Sequence, residues 1–152
     1  MEVRKIRKGE EKELWDLFYN TIHKVNIFDY NESQIEAWAP SDFDINVAIQ
    51  KFRDIDPFVA IKNGKIIGYA DIQSNGLIDH FYCHHEFQRQ GVGSALFSAI
   101  EKEAKNKGIS KMYSNVSITA RPFFEAKGFS VEKEQVLKML NQQLKNYRMV
   151  RG

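Results

Sequence analysis

The chain has 152 residues, 43% hydrophobic and 12% aromatic, with 22 Lys and Arg against 20 Asp and Glu for a net charge of +2. Length and composition predict one globular domain over residues 1–152 and argue against disorder. The balanced charge selects neither nucleic acid nor membrane, no apolar run reaches the ~18 residues of a membrane span, no signal-peptide core follows Met1, and the lone Cys83 excludes an internal disulfide, so a cytoplasmic protein is expected.

Alternating apolar and basic residues predict a strand over Val3 to Arg7. Leu14, Leu17, Phe18 and Ile22 recur at helical spacing within Glu10 to Ile22. Ser33, with Glu36 completing a capping box, is expected to start a second helix that holds Ile35, Ala37 and Trp38 and stops at Pro40. A third short helix is predicted from Asp44 to Phe52, with Val47, Ile49 and Phe52 as its apolar side.

The period then changes. Phe58–Lys62 and Lys65–Ala70 flank Asn63-Gly64, the pair that a type I′ hairpin turn requires. A turn at Ser74-Asn75-Gly76 should lead into a third strand, Leu77 to Cys83. Val92, Leu96, Ile100 and Ala104 mark a long helix with Glu101–Lys105 and Glu103–Lys107 pairs and Gly108 at its end. Lys111 to Val116 reads as a strand, Thr119 as the cap of a short helix with Pro122 in its first turn, and Val131 to Val150 as two strands around Asn141-Gln142-Gln143. This order predicts an α+β fold with a mixed, mostly antiparallel sheet.

The segment Gln88-Arg89-Gln90-Gly91-Val92-Gly93 leads into the long helix. A helix start presents unpaired N–H groups and about half a positive charge, and two glycines would let an anion approach the backbone. Lys is missing where a Walker A loop needs it. Leu96 stands where the dinucleotide fingerprint needs Gly or Ala, and no acid lies about 20 residues on in a parallel strand. The remaining reading is capture of a diphosphate.

This segment resembles the Gln/Arg-x-x-Gly-x-Gly/Ala signature of the GNAT superfamily of N-acetyltransferases. Ala120-Arg121-Pro122-Phe123-Phe124-Glu125-Ala126-Lys127-Gly128-Phe129 resembles a second block of that superfamily. Gln34 to Pro40 and Ser117 to Phe124 are similar to small bacterial members of the YafP type. The resemblance implies a GNAT fold with roughly six to seven strands flanked by helices. It implies acetyl-CoA as co-substrate, with Gln88, Arg89, Gln90, Gly91, Val92, Gly93 and Ser94 on the pyrophosphate. Phe81, Tyr82 and Cys83 would pair with the pantetheine through their backbone, an N–H near Phe81 would form the oxyanion hole, and Ser117, Phe123 and Phe124 would complete the cofactor wall.

The implied reaction is direct attack on the thioester by a primary amine of a small molecule or peptide. A lysine-like amine is neutral only about once in 2,500 at pH 7, so a proton acceptor is useful. Asp79 and His80 are the candidates on the strand, with Asp79 expected to be buried among apolar neighbours. The superfamily usually has Tyr where Phe124 stands and Asn where Ser117 stands. Tyr82, Tyr113 or water would then protonate the departing thiolate. His23, Tyr30 and Trp38 are expected to line the acceptor pocket. The rival readings are an acyl-CoA-binding module that works through a protein partner, and an acyl donor other than acetyl. No metal is expected at Cys83-His84-His85-Glu86, because adjacent strand residues point to opposite faces and no second ligand pair follows. Nothing places a base and an acid beside Cys83 for a covalent acetyl carrier. The lysines of Lys102 to Lys107 read as a solvated helix face, so neither nucleic acid nor membrane is an expected partner, whereas a homodimer is implied by the resemblance.

Overall fold

The computed structural model describes residues 1–152. Strand β1 (Glu2–Lys5) is shorter than its alternation predicts, because Glu10 draws the chain into a turn by holding the Arg4 guanidinium at 2.9 and 2.8 Å and the Arg7 N–H at 2.7 Å. Helix α1 (Glu11–Lys24) buries Leu14, Leu17, Phe18 and Ile22 as the spacing requires. Helix α2 (Glu32–Trp38) is capped by Asn31 and Gln34, two residues before the predicted Ser33–Glu36 box. Glu36 accepts instead from the Ser41 N–H and hydroxyl at 2.9 and 2.8 Å. Helix α3 (Ile45–Ile55) buries Ala48, Phe52 and Ile55, whereas Val47 is 54% exposed, so its apolar face is rotated from the predicted one.

Strands β2 (Phe58–Lys62) and β3 (Lys65–Ala70) form the expected hairpin, with positive φ of 51° at Asn63 and 76° at Gly64. The next strand, β4, covers only Phe81–Cys83 instead of the expected Leu77 to Cys83. Ahead of it the buried Asp71 carboxylate receives the Asp79 and His80 N–H groups at 3.0 and 2.6 Å, which satisfies that backbone without a neighbouring strand. Helix α4 (Val92–Asn106), strand β5 (Met112–Ser117), helix α5 (Arg121–Ala126) and strands β6 (Ser130–Met139) and β7 (Gln142–Arg151) complete the chain. Glu103 and Lys107 pair at 3.6 Å as the spacing predicts, but Glu101 reaches across to Arg151 at 2.7 Å. Thr119 does not cap α5: its hydroxyl donates to Asp29 at 2.8 Å, and Ser117 Oγ takes the Ala120 N–H at 3.0 Å.

The strands form two sheets, ordered β1-β2-β3-β4 and β5-β7-β6, with every ladder antiparallel. The parallel component is one bridge, Leu77 with Tyr113. Helices α1 to α3 cover one face, where Leu14, Ile22, Phe52, Val59 and Tyr69 pack together. Helix α4 and α5 cover the other, with Ala60, Ile67, Leu96, Ile100 and Phe124. Each fully buried Leu, Ile or Phe contributes about 1.5–3 kcal/mol, so both layers hold the sheets in place.

Candidate functional site

The site begins where the two sheets meet. Strands β4 and β5 are both sheet edges. Ahead of β4 they are held together, with the Ile78 N–H donating to Tyr113 O at 2.8 Å and the Ser114 hydroxyl to Ile78 O at 2.7 Å. From Phe81 onward no ladder joins them, and a gap opens. The bonds Asp71 N–H to His80 O and His84 N–H to Ile67 O set the alternation, so His80, Tyr82 and His84 use their backbone on β3. Phe81 and Cys83 therefore turn their polar backbone towards the gap. The Cys83 carbonyl is already taken by the Thr21 hydroxyl at 3.0 Å and Gln88 Nε2 at 2.8 Å. The Phe81 N–H and carbonyl and the Cys83 N–H remain for a ligand.

Helix α4 starts at the mouth of this gap. Gly91, at φ 82°, provides the left-handed N-cap, and no side chain caps it. The backbone N–H groups from Gln88 to Ser94 have no acceptor within the chain, which leaves an anion-binding concavity. A Cβ built on Gly91 meets nothing within 4 Å, so the space in front of it is open. Gly93 serves packing instead, because a Cβ there would lie 2.8 Å from the Phe123 ring. Of the two glycines expected to clear a path, only Gly91 faces open space. Gln88 is folded back on β4, Val92 is buried in the core, and both offer only their backbone. Arg89 and Lys127, whose ammonium reaches Ser94 Oγ at 3.0 Å, supply positive charge. Phe81 to Cys83, Gln88, Arg89, Gly91 to Ser94 and Phe123 line a groove of about 520 Å³, whereas Gln90, expected on the pyrophosphate, does not line it.

A second cavity of about 330 Å³ lies on the α1–α2 side. It shares Phe81, Tyr82, Ser117, Ala120 and Phe124 with the groove, so the two spaces meet there. Tyr30 and Trp38 line it. The Tyr30 hydroxyl is committed to structure, donating to Lys145 O at 2.6 Å and accepting from the Ile118 N–H at 3.0 Å. His23 lines neither space: it stacks on Tyr19 and its Nε2 lies 2.7 Å from Ala39 O, clamping α1 to the end of α2. Sequence reasoning missed the opposite wall, which Leu137, Met139, Leu144 and Asn146 provide from β6 and β7. Their alternation with charged neighbours marks one face of a hairpin, but nothing local says what that face covers.

Asp79 is exposed rather than buried, and Lys51 holds its carboxylate at 2.6 Å on the cavity rim. The buried aspartate is Asp71, whose pKa burial pushes up to about 6. His80 is pushed down to about 4, chiefly by burial, so the ring is neutral at physiological pH. The wholly buried Tyr69 hydroxyl lies 2.9 Å from His80 Nδ1. Donating its proton there satisfies both groups and leaves Nε2–H as the free donor of the ring, an arrangement assigned from the hydrogen-bond pattern. Burial raises the Tyr82 pKa strongly, so its hydroxyl keeps its proton. Tyr113 lines neither space, and its hydroxyl accepts from Asn75 at 3.1 Å.

Against this geometry, the family model described as an acetyltransferase (GNAT) domain matches residues 27–146. The chain belongs to the GNAT acetyltransferase family. The N-acetyltransferase YafP of Escherichia coli K12 is 30% identical over 135 residues, 89% of this chain and 85% of that protein. A GCN5-related N-acetyltransferase from Rhodopseudomonas palustris superposes with a TM-score of 0.93 at 24% identity, covering 99% of this chain and 94% of that one. The PaiA N-acetyltransferase of Thermoplasma acidophilum, solved with coenzyme A, gives a TM-score of 0.75 at 19% identity, covering 99% and 97%. The fold is therefore the GNAT fold, and the antiparallel sheets splayed at β4 and β5 are its frame here.

Within this GNAT frame, Phe124 is 2% exposed and packs against Phe81, Phe123 and Phe129 at 5.1–5.8 Å, with no hydroxyl to offer. The His84-His85-Glu86 stretch departs from expectation. Because β4 ends at Cys83, the two rings stack at 4.4 Å, and one ligand atom from each of the three residues falls within 4.8 Å of the others. His84 Nδ1 is already occupied by the Glu86 N–H at 3.0 Å, and Lys24 Nζ stands 3.4 Å from His85 Nε2, where it would repel a cation. No helix is long and apolar enough to cross a membrane.

Proposed function

We propose that this GNAT protein transfers the acetyl group of acetyl-CoA to a primary amine of a small molecule or peptide by direct attack. The observation that carries the reading is the junction at Phe81, Tyr82, Ser117, Ala120 and Phe124, where an anion-ended groove meets a separate, largely apolar cavity. The N–H groups from Gln88 to Ser94, with Arg89 and Lys127, would hold the pyrophosphate. The free backbone of Phe81 and Cys83 would align the pantetheine as an added strand, against Phe123 and Phe124. The Phe81 N–H would take the charge that develops on the thioester oxygen.

The amine enters through the second cavity, and Asp79, the one carboxylate lining it, accepts the proton that the ammonium must lose. The amine nitrogen bonds to the acetyl carbon, and the C–S bond breaks with its electron pair on sulfur. The Tyr82 hydroxyl gives that thiolate its proton in place of the tyrosine absent at position 124 and regains one as the nitrogen sheds its surplus proton, which leaves a neutral amide and free thiol. His80 contributes an N–H rather than a base.

The test is release of free thiol from acetyl-CoA with amines of several classes, with product masses recorded. Acetylated amine in step with thiol is the expected result. Tight coenzyme A binding without turnover on any amine would replace this reading with that of a binding module.

A further inference from the structure

One ring on the wall of the second cavity is held in place from several sides. His80 lines that cavity and not the coenzyme groove. Its ring stacks on Phe18 at 5.6 Å, meets Phe52 edge-on at 6.0 Å and lies 5.8 and 5.7 Å from the rings of Tyr69 and Tyr82. Its backbone is fixed as well, because the His80 N–H donates to the buried Asp71 carboxylate at 2.6 Å and its carbonyl accepts from the Asp71 N–H at 3.2 Å. The imidazole is thus presented in one orientation.

The tautomer is fixed by Tyr69. That residue is 0% exposed, and its hydroxyl has one hydrogen-bond partner, His80 Nδ1 at 2.9 Å. If Nδ1 carried the hydrogen, the Tyr69 hydroxyl proton would be buried without an acceptor, so Tyr69 donates and Nε2 carries it. No group of the chain accepts from Nε2, yet the enclosed side-chain atoms that lack a partner are His85 Nδ1 and Asn146 Oδ1. Nε2 is therefore accessible, and the second cavity is the space that His80 lines. Other polar side chains of that wall are already engaged. The Ser114 hydroxyl donates to Ile78 O, Asn115 Oδ1 accepts from Gln135, and Lys145 pairs with Glu134, each at 2.7 Å.

The reacting nitrogen is the wrong partner for this donor. As an ammonium it has no lone pair to offer, and as a neutral amine it needs that lone pair for the acetyl carbon. Nor is the donor placed for the thioester oxygen, because His80 does not line the coenzyme groove. We propose that the acceptor amine carries a hydroxyl, carbonyl or carboxylate oxygen that accepts a hydrogen bond from His80 Nε2–H, and that Tyr69 is the positioning residue that keeps the hydrogen on Nε2. This rests on the acetyl-transfer reading. Burial pushes the His80 pKa down to about 4, so the ring contributes a donor and not a charge at physiological pH. A bare hydrocarbon amine leaves that donor unpaired once the cavity is filled, and a site built around a polar contact rejects the analogue that lacks it.

The experiment measures kcat and KM by thiol release, with product masses, for phenethylamine and isoamylamine. Each is set against the amino alcohol, amino amide and amino acid that add a hydroxyl, carbonyl or carboxylate to the same apolar body: phenylalaninol, phenylalaninamide and phenylalanine, and leucinol, leucinamide and leucine. It includes His80→Phe and Tyr69→Phe, with coenzyme A affinity and Tm recorded, and nitrogen NMR of the imidazole. For at least one kind of oxygen, kcat/KM should exceed that of the bare amine by roughly tenfold or more, chiefly through KM. His80→Phe should bring that ratio to about one while coenzyme A affinity holds. NMR should show Nε2 protonated in the parent, whereas in Tyr69→Phe the hydrogen is shared between both nitrogens and the ratio falls. The substrate ratio and the tautomer of the parent keep the test decisive should a variant not fold. Bare amines that match or exceed every oxygen-bearing counterpart, a ratio unchanged in His80→Phe, or a parent ring protonated on Nδ1 overturns the inference while leaving acetyl transfer standing. Absence of turnover with every amine despite coenzyme A binding overturns both.

Discussion

Asp71 supports the approach to the site from beneath, and Asp71→Ala tests that support. Its carboxylate is 0% exposed and holds the Asp79 and His80 N–H groups at 3.0 and 2.6 Å and the Gln73 amide at 2.7 Å. Alanine leaves two backbone donors unmatched, at about 1–2 kcal/mol each, so a loss of about 2–4 kcal/mol is expected near neutral pH. The loss also depends on pH. Burial raises the Asp71 pKa from 3.8 to about 6, so between those values the folded chain keeps a proton that the unfolded chain releases. The contribution of this group is complete below 3.8 and disappears as pH rises through about 6. Asp71→Ala lacks it, so the variant should trail the parent by about 1.4 kcal/mol more at about pH 5 than at about pH 7.5. Urea unfolding of both proteins at the two pH values reads this directly. An equal or smaller deficit at the lower pH would refute the argument that this carboxylate is buried and proton-binding.

Gly91→Val places a β-branched residue at φ 82° in front of the open N–H groups, and the acetyl-CoA Kd from calorimetry should rise about tenfold or more; unchanged affinity would remove the diphosphate from that turn. Tyr82→Phe should lower kcat by about 100- to 10,000-fold at unchanged acetyl-CoA affinity, the range for a lost proton donor; full activity would send that role to water. Burial pushes the Cys83 thiol up to about 12, so it should resist iodoacetamide in the native protein at about pH 8 and react once urea exposes it. Labelling of the native protein, or an acetyl group found on Cys83, would contradict the raised thiol pKa.

The site divides by how far its residues lie apart in sequence. Asn63-Gly64 specifies its own turn, since both residues must take positive φ, and the hairpin forms as read. The strand-to-helix passage from Phe81 to Leu96 was legible for the same reason: strand, glycine and helical period are all local. Capping was less legible. Asn31 and Ser33 both suit an N-cap, and the choice of Asn31 is made where Gln34 also reaches Gln143 O, 109 residues on, at 2.7 Å.

By itself the sequence determined the order of elements, the hairpin turn at Asn63-Gly64 and the passage from strand to helix before Val92, because these depend on dihedral preference and on periods of two and 3.6 residues. The tertiary structure alone decided that Asp79 is exposed and paired while Asp71 is buried, that Gly93 makes room for Phe123, and that His23 clamps helices outside the cavity. It also brought Asn146 beside Ser117 through the β5–β7 register. Burial and pairing between distant segments depend on how sheets close and where edges are left open, and no local pattern records either.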